Sequence, residues 1–255
     1  MSAVTVIRGA PRAFDRMNGN GADPAAVTRL EELQKQTKDL DAKAILKLAL
    51  SAFAGRIALV SSFGSESAIL LHMISEIDPD TPVLFLNTGK LFGETLRYRD
   101  RLQDHLGLGD VRSLAPNPAD RAAHDPDGTL WARNTDACCG FRKVVPLRRA
   151  LQGFDAQVTG RKRFQTRERA SMQTVEYFDG RFRFNPLADW SQADLDAYMS
   201  EHDLPRHPLL DDGYPSIGCM PCTRRVQSGE GYREGRWSGL EKDECGIHGV
   251  DGEGI

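Results

Sequence analysis

The sequence lacks any apolar run approaching the length of a membrane span, and Met1 is not followed by a charged-then-apolar signal segment. A soluble, cytoplasmic protein that engages no membrane is therefore expected. Strong charge of either sign is missing too. The formal net charge is −3 over 255 residues, which argues against a general nucleic-acid binder. Cysteine is scarce and odd in number, five in all, so the thiols do not read as a closed disulfide framework. None is needed, because a chain of this length buries a sizeable core without staples. There is no internal repeat, no clear domain linker and no Walker phosphate loop.

What is present alternates between strand and helix patterns. Residues 1–22 carry Gly, Asn and Pro without apolar periodicity and read as a mobile arm. Asp23-Pro24 is a helix start, with Asp as cap and Pro at the first helical position. Val27, Leu30, Leu33, Leu40, Ile45 and Leu48 then recur at helical spacing. Ile57 to Val60 reads as a short buried strand, Ser61 to Ser65 as a turn and Glu66 to Ile77 as a helix. The cycle repeats with a strand over Pro82 to Leu86, a helix over Phe92 to Leu106 and a strand over Val111 to Leu114. After a polar stretch, the double cysteine Cys138-Cys139 opens a helix through Leu151, followed by a strand at Ala156 to Thr159. Phe178 to Phe184 reads as a hairpin around Asp179-Gly180, and Ser191 to Asp194 caps a helix reaching His202. This order predicts an α/β fold with a doubly wound, mostly parallel sheet covered on both faces. It places one nucleotide-binding domain over residues 23–204 and an irregular extension, rich in Gly and Pro, over residues 205–255.

The cysteines fall into three places: Cys138-Cys139, the Cys-x-x-Cys pair Cys219 and Cys222, and Cys245 in Glu-Cys-Gly-Ile-His. Four thiolates brought together suit a tetrahedral metal or an iron–sulfur cluster. Spacing leaves a zinc site, a cluster and a vicinal disulfide all open. Cys245, among glycines and charged residues, reads as a separate reactive thiol.

Two loops lie where an open α/β sheet binds ligands, outside the carboxyl ends of its strands. One holds Ser61, Ser62, Gly64 and Ser65, whose small side chains let backbone amides approach an anion at the following helix N-terminus. Glu66 beside it adds an unwelcome negative charge. The other loop is Asn87, Thr88 and Gly89. Lys143 and the loop from Gly160, with Arg161, Arg163, Arg167 and Arg169, form basic patches suited to a small anionic ligand. A solvated charged face explains either patch alone equally well.

Taken in order, these features resemble the assimilatory adenylyl-sulfate (APS) and phosphoadenylyl-sulfate (PAPS) reductases, relatives of the ATP pyrophosphatases with a modified phosphate loop. The matching residues are Ser61 to Ser67, Leu86 to Gly89, the double cysteine with Arg142 and Lys143, the arginine loop, and the tail with Cys-x-x-Cys and Glu-Cys-Gly-Ile-His. They span Ile57 to His248. Asn87 stands where the family usually has Asp, and the Ser-Gly-Gly loop of the ATP pyrophosphatases is absent. The resemblance implies an adenine-nucleotide alpha-hydrolase-like fold and one [4Fe-4S] cluster per chain on Cys138, Cys139, Cys219 and Cys222. It implies Cys245 as nucleophile and Arg233 and Arg236 as further phosphosulfate binders; around Cys245 itself, Glu244 opposes the thiolate, whereas Lys242 and His248 favour it. The expected partners are adenylyl sulfate, a thioredoxin or glutaredoxin-like dithiol donor and further copies of the chain in a homo-oligomer, with no nucleic acid. The implied reaction is reduction of APS, in preference to PAPS, to sulfite and AMP through an S-sulfocysteine. An ATP-dependent adenylating enzyme and a four-cysteine nucleic-acid-binding module are the rival readings.

Overall fold

The computed structural model describes residues 23–239, 242 and 246–247. The arm expected over residues 1–22, together with Cys245 and His248, lies outside the described residues. The chain opens with helices α1 (Pro24–Thr37) and α2 (Ala42–Ala52), each started by an aspartate whose carboxylate accepts a hydrogen bond from a first-turn N–H. Strand β1 (Ile57–Ser61) follows, then α3 (Ser67–Ser75), β2 (Val83–Leu86), α4 (Gly93–Leu106) and β3 (Val111–Leu114). The polar stretch after β3 holds two short helices the sequence pattern does not show, α5 (Pro118–His124) and α6 (Leu130–Arg133). At seven and four residues they are too short to carry an apolar period.

The helix expected to open at the double cysteine begins three residues earlier, as α7 (Thr135–Cys139). It passes through one π-helical turn, Gly140–Val144, before resuming as α8 (Val145–Ala150). Strand β4 (Ala156–Thr159) and the antiparallel hairpin β5 (Val175–Phe178) and β6 (Arg181–Phe184) complete the sheet, and α9 (Gln192–Glu201) closes the regular part. Ser191 and Asp194 form the capping box at its start.

The six strands run in the order β3-β2-β1-β4-β6-β5, parallel except for β5 at one edge. Alternation by two sorts the side chains between faces. Ile57, Leu59, Val83, Phe85, Ala156 and Val158 join the larger core with α1 to α4 and α9. Ala58, Val60, Leu84 and Leu86 pack on the other face with Leu147, Leu151 and Phe154. Covered on both sides, β1 is buried at all five positions. The chain leaves β1 towards β2 and later returns to its opposite side as β4, so the winding reverses between these two strands. Their carboxyl ends, at Ser61 and Thr159, therefore frame the crevice where such sheets bind ligands.

Candidate active site

A cavity of about 190 Å³ occupies that crevice. The sheet supplies Ser61, Ser62, Gly64 and Ser65 from the loop after β1, Thr88 from the loop after β2, and Gly160, Arg161 and Arg169 from the loop after β4. The π-helical turn supplies Lys143, and the C-terminal extension supplies Cys219, Arg233 and Arg236. Asn87, Gly89, Arg163 and Arg167 are not among the lining residues. Asn87 instead accepts the Gly89 N–H at 3.1 Å, closing the turn in which Gly89 adopts φ +69°. Arg163 turns away to pair with Asp189 and to donate to the Met172 carbonyl, and Arg167 is exposed.

The loop after β1 is shaped by Phe63, which holds a left-handed φ of 49°. That conformation costs a non-glycine residue on the order of 1–3 kcal/mol. The ring is fully buried and meets Phe85 edge-on at 5.1 Å, a burial worth about 1.5–3 kcal/mol. Ser61 Oγ also accepts the Phe63 N–H at 3.1 Å. With Phe63 pinned inward, Ser62, Gly64 and Ser65 are left to line the cavity.

Glu66, an apparent obstacle to anion binding, is neutralised within the structure. Its carboxylate pairs with Lys162, whose side chain is 3% exposed, and accepts from Gln165 Nε2 at 3.0 Å and Tyr232 OH at 2.7 Å. Burial pulls the Lys162 ammonium below its usual pKa, Glu66 opposes that shift, and Arg169 and Arg233 reinforce it. Burial pushes the Tyr232 phenol well above its usual range, and Glu66 adds to the shift. Lys162, Gln165 and Tyr232 all line the cavity and were not identified from the sequence. The Lys162 pairing joins residues 96 apart, which leaves no local pattern to read.

Arg161 is held by a similar buried set. It pairs with Glu176 and donates to Asn185 Oδ1 at 3.1 Å and Thr159 Oγ1 at 3.2 Å. Thr159 in turn donates to Asn185 Oδ1 at 2.6 Å. A guanidinium fixed this way presents its charge without further ordering when an anion arrives.

The four paired cysteines gather beside the cavity. Cys138, Cys139 and Cys219 are buried, with Cys222 half-buried. Burial raises the Cys138 thiol pKa; Arg142 lowers it, while Cys219 and Cys222 raise it. Burial likewise raises Cys222, Cys219 adds to the rise, and Lys143, Arg236 and Lys242 oppose it. Cys139 packs with Trp237, Cys222 and Ile247, so each of the four thiols neighbours another of the set. Thr88 Oγ1 lies 3.2 Å from Cys219 Sγ. Arg142, 4% exposed, donates to the Thr88 carbonyl at 2.7 Å and to Asp125 at 2.5 Å, tying the loop after β2 to the helix carrying Cys138 and Cys139. Among the described residues no three His, Cys, Asp or Glu side chains are grouped so as to hold a metal ion.

Among the described residues no helix is long and apolar enough to cross a membrane. Residues 56–225 match the family described as phosphoadenosine phosphosulfate reductase domain. The chain is 49% identical over 219 residues to adenosine 5'-phosphosulfate reductase of Chelativorans sp. strain BNC1, covering 85% of this chain and 89% of that one. It is 41% identical to phosphoadenosine 5'-phosphosulfate reductase of Gloeobacter violaceus over 233 residues, covering 87% of this chain and 94% of that one. Among solved structures, phosphoadenylyl-sulfate reductase from Candida auris, as a phosphate complex, superposes with a TM-score of 0.66 at 26% identity, over 77% of this chain and 96% of that one. FMN adenylyltransferase of Candida glabrata shares the fold at a TM-score of 0.54 and 12% identity, over 94% of this chain and 86% of that one. With the matched family spanning the sheet, the arginine loop and the Cys-x-x-Cys pair, the chain belongs to the phosphoadenosine phosphosulfate reductase family.

Proposed function

We propose that the protein reduces adenylyl sulfate to sulfite and AMP in sulfate assimilation towards cysteine, as a cytoplasmic enzyme. The observation that carries this reading is that a single cavity is lined by the cations Lys143, Arg161, Arg169, Arg233 and Arg236 and by Ile247, two residues beyond Cys245. Cationic side chains and a residue close in sequence to Cys245 line one crevice, which supports the reading suggested by the names of the relatives at 49% and 48% identity. The Gloeobacter relative named for the phosphorylated nucleotide makes PAPS the second substrate to test.

In the proposed reaction the Cys245 thiolate attacks the sulfate sulfur, forming a sulfur–sulfur bond while the sulfur–oxygen bond to AMP breaks. AMP leaves with that electron pair on its phosphate oxygen. Arg161 and the neighbouring cations neutralise the phosphate and sulfate oxygens, and the amides around Gly64 sit at the helix N-terminus. An external dithiol of the thioredoxin or glutaredoxin kind then attacks Cys245, sulfite departs, and the second thiol resolves the mixed disulfide. The donor loses two electrons and Cys245 returns to its thiolate. His248 and Lys242 favour that thiolate in this scheme.

The residues present fit a [4Fe-4S] cluster, one per chain. Cys138, Cys139, Cys219 and Cys222 would hold it, and a donor set of four thiolates suits iron–sulfur chemistry. The buried Trp237 Nε1, which has no hydrogen-bond partner among the described residues, belongs to the same apolar group as Cys139 and Cys222, where cluster sulfur would offer an acceptor. When bound, the cluster supplies a charged centre beside Lys143 that tunes the electrostatics of the site. The test of the whole reading is incubation of iron-replete protein with labelled APS or PAPS and no reductant, followed by mass measurement of the tail peptide. One sulfonate on Cys245, released by reduced thioredoxin, is expected; a label on another cysteine, or none, would overturn it. A homo-oligomeric state belongs to the same proposal and is checked by light scattering.

A further inference from the structure

On the face of the sheet that α8 covers, the outer strands bury charge where the inner ones bury hydrocarbon. Arg183 of β6 stands beside Gln157 of β4 and Glu176 of β5 in the strand register. Its side chain is 4% exposed, and its guanidinium carbon lies 4.3 Å from the centroid of the Phe178 ring. A buried charge needs a counter-charge in good geometry, and here the pairing is incomplete. Glu176 stands 3.9 Å from Arg183 Nη1, and the same carboxylate oxygen is taken by Arg161 and by Asn185 Nδ2. Arg183 Nε has no hydrogen-bond partner among the described residues. Burial pulls the guanidinium pKa down to about 9, Arg161 adds to the fall, and Glu176 and Asp179 oppose it.

Arg183 lines a cavity of about 30 Å³ between the α7–α8 segment and the sheet. Among the described residues, only Ile247 also lines the substrate cavity. The charged lining residues are three arginines, Arg148, Arg181 and Arg183, against one aspartate. That aspartate, Asp179, is exposed and lies 3.7 Å from Arg148 and 3.6 Å from Arg181. Arg181 is oriented by the Leu151 and Phe154 carbonyls, which accept from its Nε at 2.9 Å and 3.1 Å. A polar space of this size admits a water or the leading oxygens of a small anion.

We infer that this cavity is a second anion site, separate from the substrate cavity, in which Arg183, helped by Arg148, Arg181 and Gln157, takes a small oxyanion of the sulfate or phosphate type. The planar guanidinium fork suits such oxygens, and the anion supplies the counter-charge that Glu176 provides only from a distance. The inference does not depend on Cys245 or on the reaction proposed above.

The test is equilibrium dialysis of iron-replete protein against labelled sulfate at fixed ionic strength in chloride, with and without saturating AMP. Wild type should bind a sulfate that saturating AMP leaves in place, and its affinity should fall about tenfold or more in Arg183→Met and about threefold in Arg148→Ala. Phosphate should compete for it. Equal sulfate binding by Arg183→Met, or displacement of the Arg183-dependent sulfate by AMP or by chloride at equal concentration, would overturn the site. Thermal unfolding gives a second readout. Without sulfate, Arg183→Met should be at least as stable as wild type, since it removes an incompletely paired buried charge, and added sulfate should raise the wild-type midpoint more than that of the variant. A variant that is less stable without sulfate, yet gains as much from it as wild type, would assign Arg183 to its contact with Glu176 alone. Should Arg183→Met fail to fold, the half-exposed Arg148 decides: unchanged sulfate affinity in Arg148→Ala would overturn the inference.

Discussion

The wall of the cavity formed by Ser61–Ser65 and Gly160–Arg169 grows from the ends of strands buried on both faces. The opposite wall, from Ser216 to Trp237, contributes no strand to the sheet. It is tied down by polar contacts: Met220 N–H to the Lys90 carbonyl at 2.8 Å, Ser65 Oγ to the Pro215 carbonyl at 2.7 Å, and Tyr232 to Glu66. Within it, Thr223 and Arg236 form a β-bridge, Met220–Cys222 is a 3-10 turn, Arg224 pairs with Glu230, and the Trp237 N–H reaches the Cys222 carbonyl at 3.1 Å. Buried strands, with the Lys162–Glu66 and Arg161–Glu176 pairs, hold the first wall; hydrogen bonds, the thiols and the buried Ile217 and Trp237 hold the second. Damage to the thiols or tethers should accordingly loosen the second wall and leave the sheet folded.

The largest expected effect separates chemistry from both walls. Cys245→Ser should abolish sulfite formation while AMP affinity and iron content stay within twofold of wild type, because the proposed nucleophile is outside the proposed ligand set. Retained turnover would end the mechanism. Next comes Cys139→Ser or Cys222→Ser, which should release iron and activity together, with the far-UV spectrum of the sheet preserved and proteolysis concentrated in residues 205–239. Unfolding of the whole chain on loss of one thiol would show that the walls are not independent.

The Lys162–Glu66 pair bridges the comparison, since Glu66 begins the first wall's helix and also holds Tyr232 of the second. Lys162→Met leaves a partly buried carboxylate without its partner and should cost about 3–5 kcal/mol in chemical denaturation. Adding Glu66→Gln to it should recover part of that loss, as expected where the penalty is an uncompensated charge. A strictly additive double variant would mean that the two side chains do not interact.

Acid should act just ahead of the second wall, at His207, which is fully buried, packs against α4 and is held at a pKa of about 4 by burial, with Glu94 opposing. Nδ1 accepts the Leu209 N–H at 3.2 Å, so Nε2 carries the proton and donates to Thr95 Oγ1 at 3.1 Å. A depressed histidine pKa stabilises the fold fully above the unfolded value of about 6.5, and that stability is lost as pH falls towards the folded value. The drop amounts to about 3 kcal/mol below pH 4. Thermal unfolding of wild type and His207→Gln between pH 7 and 4 should show the steeper decline in wild type. Parallel curves would remove His207 as the cause.

The contrast between the walls also governs what could be read before any coordinates. Strands at Ile57, Pro82 and Ala156 were legible because a strand buried on both faces must be a short apolar run, the edge strand at Val111 because it continues the strand–helix alternation, and the turn at Asp179-Gly180 carries its own signal. Ser61 to Ser65 followed from strand-end geometry. The Lys162, Gln165 and Tyr232 contacts to Glu66 were not legible, since a basic loop does not reveal which of its cations turns inward. Arg161 and Arg169 do so, whereas Arg163 finds Asp189 and Arg167 stays in water. The π-helical turn was equally hidden: Gly140 and Pro146 weaken the helix on either side of it but do not specify the extra residue per turn, which is a tertiary outcome.

The smallest expected effect probes how closely the second wall is fitted to its ligand. Gly218 lies against the Arg236 guanidinium, so that a Cβ at residue 218 would overlap Arg236 Cζ and Nη2. Arg236 lines the cavity with its Cζ 4.4 Å from the Trp237 ring centroid. In Gly218→Ala the backbone keeps its allowed conformation, because Gly218 is not among the positive-φ glycines, and a long flexible side chain gives way more readily than packed main chain. The fold should therefore tolerate the change, with a denaturation midpoint shifted by less than about 1 kcal/mol. The arginine, by contrast, must leave the position from which it faces the cavity. KM for APS should rise about five- to tenfold, equivalent to about 1–1.4 kcal/mol of lost binding, with kcat nearly constant. Arg236→Ala should give a loss of the same size, and the double variant should add little to either, since both remove one contact. If Gly218→Ala instead lowers stability and leaves KM alone, then Gly218 serves the packing of the second wall, and Arg236 reaches its ligand from a position the added methyl does not disturb.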